Sequence, residues 1–596
     1  MSQQETKDMA KHFYRASAAD FMKIPGSPVA YWAPKSAVQA FEKLHSLDDL
    51  LHARIALATA DNDRFIRSWH EVSYKNIGFD MQDNNESIES GYKWFPCNKG
   101  GEYRKWYGNN DNVVNWFNDG EEVRALTDPE TGRIRSHNYN GDFGFQESIT
   151  WSALSSSKLG ARYSKYGYLF VTPGSSEFKK DADINMHFIQ AILSSKVAYY
   201  FLRIISATMN IEVGNLLRIP AIKSNNQAIS IAEKTIKSAQ VDWDSFEASW
   251  DFTSLPLLTH DTKQTQLRTG YTNLCAQWLA GTQEMQRLEQ ENNRIFINAY
   301  GLQDELTPDV PLNEITLTCN PHYRYGGDLT VQQREERLQS DTIAELISYA
   351  IGGMMGRYSL DKPGLILASQ GETLQDYLDQ IPSPSFAPDE NAILPLTDQE
   401  WFPDDATNRF REFVRVAWGD EHLQENLDFV AQSLCLHAIK PKRGESALDT
   451  IRRYLSTQFY KDHLRTYKKR PIYWLFSSGK QKAFECLVYL HRYNESTLAR
   501  MRTEYVIPLS AKLNAYADKL EQDIEASTST AETKRLEKEI TTLHKQQAEL
   551  AEFDEKLRHY ADQRISLDLD DGVKVNYGRF GDLLAEVKAV TGENPT

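Results

Sequence analysis

The chain has 596 residues, 41% of them hydrophobic and 25% charged, and a net charge of −16. That length accommodates about three or four domains with cores of their own, and the charge excludes a uniformly basic DNA-coating protein while leaving room for a local basic patch. The five cysteines (Cys97, Cys275, Cys319, Cys435, Cys486) are scattered with no CxxC pair, which excludes an obvious zinc or disulfide framework and reads as free thiols in a reducing compartment.

In chain order, residues 1–18 are expected to be a polar, helical lead-in, and the first eleven lack the apolar core of a signal peptide. Residues 19–222 read as one mixed α/β domain. Short β-like runs at 92–96, 113–117 and 168–172 are broken by Gly/Asn/Asp turns, and a helical stretch at 187–205 leads to an extended run at 216–222. Residues 223–313 are expected to be a helical spacer, and 314–438 a mixed α/β domain with Pro/Asp-rich loops. Residues 439–508 read as a basic helical region, 509–565 as a helical hairpin and 566–596 as a C-terminal segment. In the hairpin, Leu536, Leu543, Leu550 and Leu557 repeat every seven residues, with Ile540, Phe553 and Tyr560 beside them. The break is placed at Ser527-Thr528-Ser529-Thr530, and each arm is expected to hold about 25 residues and span about 40 Å. An antiparallel hairpin packing on its own body is the reading preferred over a dimerising coiled coil. The fold class is thus mixed α/β and α. No apolar run reaches the ~18 residues of a membrane span, so no membrane partner and a cytoplasmic location are expected.

The most informative segment is 92–110. Lys93, Lys99, Arg104 and Lys105 face only Glu102, and Trp94, Phe95, Tyr103, Trp106 and Tyr107 are interleaved with them. Cations suit phosphates, and flat rings pack on sugars or unstacked bases, so Lys93, Trp94, Lys99, Tyr103, Arg104, Lys105, Trp106 and Asn109 are candidate DNA contacts. The alternative is a solvated hairpin whose aromatic residues are core. Gly100-Gly101 permits a tight turn where another backbone can approach closely. A second basic stretch, 440–480, carries eleven Lys/Arg against Glu445, Asp449 and Asp462. Its Arg452, Arg453, Lys468, Lys469 and Arg470 suit sequence-independent phosphate contacts, against the plainer reading of a solvated helix face.

Amino-methylation requires a Gly-rich loop for S-adenosylmethionine and an Asn/Asp-Pro-Pro-Tyr/Phe motif to hold the extruded adenine. The chain offers one near miss, Asn320-Pro321-His322-Tyr323, after a strand-like 315–318. His322 replaces the second proline, and no suitable strand–loop–helix accompanies it. Gly352-Gly353 and Gly356 lie in an apolar helical pattern and read as close helix packing. No catalytic residue and no metal site is assigned.

Several runs carry a family resemblance: 92–118, Phe145 to Ser152, 163–170, Gly214-Asn215-Leu216-Leu217-Arg218-Ile219-Pro220, Asn320 to Gly327, Gly356-Arg357-Tyr358-Ser359-Leu360-Asp361-Lys362-Pro363-Gly364, 467–478 and 568–577. Together they resemble the carboxy-terminal half of the PglX family of BREX-type adenine-specific DNA methyltransferases. Residues 19–222 are similar to its target-recognition domain. The resemblance implies a largely helical multidomain body after that domain, and site-specific N6-adenine methylation in phage defence by the whole enzyme. It also implies that S-adenosylmethionine binds in a catalytic half outside this chain, which is expected to open close to the junction at 12–21. The expected partners are double-stranded DNA and that catalytic half, with other BREX proteins or a DNA-mimicking phage inhibitor as further candidates. The rival expectation is an interaction scaffold for other BREX proteins with only nonspecific DNA affinity.

Overall fold

The short apolar runs between turn residues form strands, as their alternation requires, and the longer 3.6-periodic runs form helices. The computed structural model describes residue 14 and residues 16–54, 57–138, 140–152, 158–206, 211–259 and 262–594. Most of the expected lead-in, and part of the junction at 12–21, lie outside these residues. The chain divides into two compact units: unit 1 holds residues 1–66, 76–243 and 277–327, and unit 2 holds 67–75, 244–276 and 328–596. The seven segments read from the sequence are thus grouped into two, with the helical spacer divided between them.

Among the described residues, unit 1 contains two larger sheets besides a short antiparallel pairing of His45–Ser46 with Pro220–Ala221. Strands β1 (Leu51–Arg54), β2 (Trp94–Asn98), β3 (Asn112–Asn115), β4 (Ser148–Ser152), β5 (Arg162–Ser164), β6 (Leu169–Phe170) and β7 (Gly174–Lys179) supply them. In one, β2 pairs antiparallel with β3 (Phe95 opposite Val114) and parallel with β6 (Cys97 opposite Leu169). In the other, the order is β1-β7-β4-β5, all antiparallel. The three β-like runs are therefore real strands with ends shifted by a residue or more. The helices of this unit include α1 (Lys35–Lys43), α2 (Met186–Leu193), α3 (Lys196–Ile205), α4 (Asn226–Asp244, through Trp243) and α5 (Leu267–Tyr300, from Gln277).

The helical stretch at 187–205 is two helices bent by 68°. Ser194 ends the first and Ser195 caps the second, its hydroxyl accepting from Ala198 N–H at 3.3 Å, as short hydroxyl side chains do at helix starts. The run at 216–222 is not extended throughout: Val213–Leu216 is helical and only Pro220–Ala221 is strand. One core cluster of the unit has Trp106, Ile149, Trp151, Phe201 and Phe296 all at 0% exposure, and a second gathers Phe95, Val114, Trp116 and Phe145.

Unit 2 is mostly helical. Its elements include α6 (Val331–Met355), α7 (Ala406–Trp418), α8 (Leu423–His437), α9 (Ala447–Tyr454), α10 (Tyr460–Thr466), α11 (Ile507–Ala526) and α12 (Thr530–Asp562). Strands β8 (Ile393–Pro395), β9 (Tyr473–Ser477) and β10 (Glu485–Tyr489) form an antiparallel sheet with β10 in the middle. The region 439–508 is therefore not wholly helical. Tyr473-Trp474-Leu475-Phe476 is a continuous apolar run buried on both faces, the signature of an internal strand, and the cations before it obscured that pattern.

Helix α6 starts at a reciprocal Thr330/Gln333 capping box and stops at Gly356, whose φ of +79° is left-handed. A Cβ on Gly352 would fall 2.4 Å from the Tyr358 ring, the close packing expected of that glycine pair. Arg357 is fully buried: it lies 5.2 Å from the Trp69 ring centroid and donates to the hydroxyls of Tyr489 (3.0 Å) and Tyr358 (3.1 Å).

The hairpin breaks at 527–529, with Ser529 capping α12. Its arms are unequal, 20 and 33 residues, where about 25 each was expected. Leu536, Leu543, Leu550 and Leu557 are all buried, facing a seam of Leu509, Leu513, Ala517 and Leu520 on α11. Ile540 and Tyr560 are only half-buried. Among the described residues, no single helix is long and apolar enough to cross a membrane.

Candidate nucleic-acid interface

Segment 92–110 runs along β2 and turns at Gly100-Gly101, whose φ values of +87° and +149° favour glycine. A Cβ on Gly101 would lie 2.7 Å from the Asn109 side chain. The group that approaches this turn closely is Ser152, at the end of β4: its Oγ accepts from Gly101 N–H (3.0 Å) and donates to Gly101 O (2.9 Å).

Beyond the turn the cations point inward. Arg104, 6% exposed, donates to Asp242 (3.4 Å), the Thr316 carbonyl (3.2 Å) and Thr318 Oγ1 (2.7 Å), and its guanidinium lies 5.0 Å from the Trp243 ring centroid. Lys105, 5% exposed, pairs with Glu289, whose other oxygen accepts from Trp106 Nε1 at 2.8 Å. Trp94 and Trp106 are buried as well. Arg104, Lys105, Trp94 and Trp106 were expected to touch DNA. Side chains enclosed and partnered in this way present no surface to a phosphate or base, so these four are corrected to structural residues.

The other four keep some exposure. Lys93 is half-buried with its ammonium 5.8 Å from the Trp94 ring centroid. Lys99 is half-buried at the turn, and Asn109, also half-buried, donates to the Glu102 carbonyl at 2.9 Å. Tyr103 is half-buried; burial pushes its phenol well above the ordinary range, and its carbonyl accepts from Tyr323 Oη at 2.5 Å.

In unit 2 the arginines of the basic stretch meet acids, two of them distant in sequence. Arg452 pairs with Asp405 (2.6 Å), Arg453 with Glu445 (2.6 Å), and Arg470 Nε lies 3.7 Å from Glu71. Lys468 and Lys469 are exposed, on left-handed backbone (φ +49° and +61°) just after α10. They are what the structure leaves outermost of the five expected phosphate contacts.

The Asn320-Pro321-His322-Tyr323 motif caps a four-residue helix. The residues before it form a 3₁₀ turn and loop instead of a strand. Asn320 is 1% exposed; its amide donates to the carbonyls of Leu312 (2.7 Å) and Ile315 (2.8 Å), and its oxygen accepts from His322 N–H (3.1 Å). Both amide hydrogens are taken by the fold, the oxygen caps the helix, and the side chain is enclosed, so it is not presented to an adenine amino group.

One feature of unit 1 went unseen in the sequence. A cavity of about 260 Å³ opens beside α3, lined by Tyr103, Lys105, Lys158, Lys196, Tyr199, Tyr200 and Arg203, with Leu159, Leu193, Leu306, Val310 and Glu314 among its walls. Lys196, Tyr199, Tyr200 and Arg203 fall at i, i+3, i+4 and i+7, one face of the helix, while Val197, Ala198, Phe201, Leu202, Ile204 and Ile205 bury the other. That split between a cationic-aromatic face and an apolar one was the available signal.

No family model matches the chain. Over 579 residues it is 47% identical to the adenine-specific methyltransferase BrxX of Escherichia coli O9:H4 (strain HS), a match spanning 97% of this chain and 46% of that protein. It is 41% identical over 579 residues to the adenine-specific methyltransferase PglX of Lacticaseibacillus casei (strain Zhang), spanning 95% and 45% respectively. Both relatives are named adenine-specific methyltransferases. The chain spans a little under half the length of each of these two relatives.

Proposed function

We propose that this chain is the carboxy-terminal, DNA-reading half of a BREX-type site-specific N6-adenine DNA methyltransferase. The observation that carries the reading is the near-complete match of this chain to less than half of two adenine-specific methyltransferases, combined with a sequence that holds no Gly-rich cofactor loop and no Asn-Pro-Pro-Tyr motif. The consumption of Asn320 as a helix cap supports it, because the one near miss then has no free amide. In this reading unit 1 reads the site near the Gly100-Gly101 turn, with Lys99 and Asn109 at the contact surface. Lys468 and Lys469 hold the phosphate backbone, and phosphate contacts set register without sequence information. S-adenosylmethionine and the reacting adenine belong to the catalytic half, and the product serves phage defence.

The test is methyl transfer to duplex DNA. The chain alone is expected to transfer nothing, and the amino-terminal half of a curated relative is expected to methylate a defined adenine only when the chain is added. Methyl transfer by the chain alone would contradict the reading.

The second reading, a scaffold that docks other BREX proteins and binds DNA without sequence preference, draws on the net charge of −16 and on the paired arginines Arg452 and Arg453. It predicts salt-sensitive binding with no site preference.

A further inference from the structure

The cavity beside α3 has a composition that the DNA-reading proposal does not use. Four cations line it, Lys105, Lys158, Lys196 and Arg203, against one lining carboxylate, Glu314. Two are already matched: Lys105 pairs with Glu289, and Lys158 donates to Glu314 at 2.6 Å. Lys196 donates to the Thr307 carbonyl at 3.1 Å, and burial pulls its ammonium below the usual lysine range against the opposing pull of Glu314 and Asp309. Arg203 is exposed and makes no ion pair among the described residues. Among the described residues, Lys196 and Arg203 are thus the lining cations without an ion pair.

Its remaining lining is flat or apolar. The rings of Tyr103, Tyr199 and Tyr200 meet walls of leucine and valine, and the Tyr200 hydroxyl is buried without a hydrogen-bond partner. At about 260 Å³ the space is near the lower end of small-ligand sites, which begin at roughly 300 Å³. Flat rings accept a base of any sequence by stacking, and Lys and Arg suit its phosphate.

We propose that this cavity binds a single nucleotide, with the base among the three tyrosines and the 5′-phosphate on Lys196 and Arg203. The nucleotide is either free or an unpaired residue of a DNA strand. Its Lys196 and Arg203 lie on α3, outside segment 92–110, so the site does not depend on the residues proposed to read a target sequence.

The experiment is calorimetric titration of the full chain with adenosine 5′-monophosphate, run beside a duplex carrying one unpaired adenine and the same duplex fully paired. Saturable binding of the mononucleotide, weakened about tenfold or more by Arg203→Gln and also by Tyr199→Ala, is the expected result. Arg203 is exposed, so its substitution leaves the fold intact. Preference for the unpaired over the paired duplex, lost in the same variants, assigns the site to a DNA-borne nucleotide. Binding of the mononucleotide without that preference assigns it to a free one. Photocrosslinking with 8-azidoadenosine 5′-monophosphate should label residues 196–203 or Tyr103. The proposal is overturned if neither probe binds selectively, if both variants bind as tightly as the parent, or if the label maps elsewhere.

Discussion

Replacing Lys105 by alanine separates the two roles a cation in segment 92–110 can have. Lys105 and Glu289 retain only 7% and 3% of their side-chain surface, and the carboxylate's other partner is the Trp106 indole at 2.8 Å. Lys105→Ala leaves Glu289 ionised in a low-dielectric core with a single neutral donor, or forces it to take up a proton. Breaking a buried pair from one side costs about 3–5 kcal/mol. At about 1.4 kcal/mol per factor of ten, hydrogen-exchange protection in unit 1 falls by roughly two to nearly four orders of magnitude. The readout is exchange of peptides covering β2 and β4, measured by mass spectrometry. Lys105→Met with Glu289→Gln removes both charges and keeps the Trp106 donor satisfied, so it should recover most of the loss. A loss of protection under tenfold for Lys105→Ala, with a large loss of DNA affinity instead, would refute the enclosure and restore Lys105 as a DNA contact.

Three further outcomes follow from the same reasoning. Glu177 on β7 is fully buried with both carboxylate oxygens unpartnered, and burial pushes its pKa up to about 8. The folded form holds a proton that the unfolded chain releases near pH 4.5, so this group stabilises the fold below that pH and its contribution is lost as pH rises toward 8. Glu177→Gln should therefore flatten stability between pH 5 and 8 and raise it at pH 7 by roughly 3 kcal/mol, as read by urea unfolding at several pH values; a variant less stable than the parent at pH 7 would count against a neutral, enclosed carboxyl. Lys99→Gln and Lys469→Gln should each reduce the slope of log affinity against log salt by about one, whereas Arg452→Gln, whose charge is held by Asp405, should leave it unchanged and lower stability. Leu550→Ala, at 1% exposure in the hairpin seam, should cost about 2–5 kcal/mol. That loss should not depend on protein concentration, because α11 fills the seam within the same chain; a concentration-dependent loss would indicate a dimeric coiled coil.

Local signals were the legible ones. The seven-residue leucine spacing placed the hairpin, its Ser/Thr run placed the break, and Gly100-Gly101 announced a positive-φ turn. Whether a cation faces water was not legible, because its partner can lie far along the chain. Asp242 is 138 residues from Arg104, and Glu289 is 184 from Lys105. A net local charge counts both as available. The same cause hid strand β9: its apolar run follows five cations between 461 and 470, and composition over a long window outweighed the local pattern. The cavity escaped because it draws on three stretches of sequence, around 103, 158–203 and 293–314, and only the face of α3 marks it locally.

The central claim, that this chain alone carries target reading, is tested most directly by selecting duplexes from a random-sequence pool with the purified chain at near-physiological salt. The account predicts recovery of one short asymmetric motif, with binding to it that exceeds bulk duplex by several orders of magnitude. Recovery of no motif, with binding that simply fades as salt rises, would contradict it and leave the chain as a scaffold with nonspecific affinity for DNA.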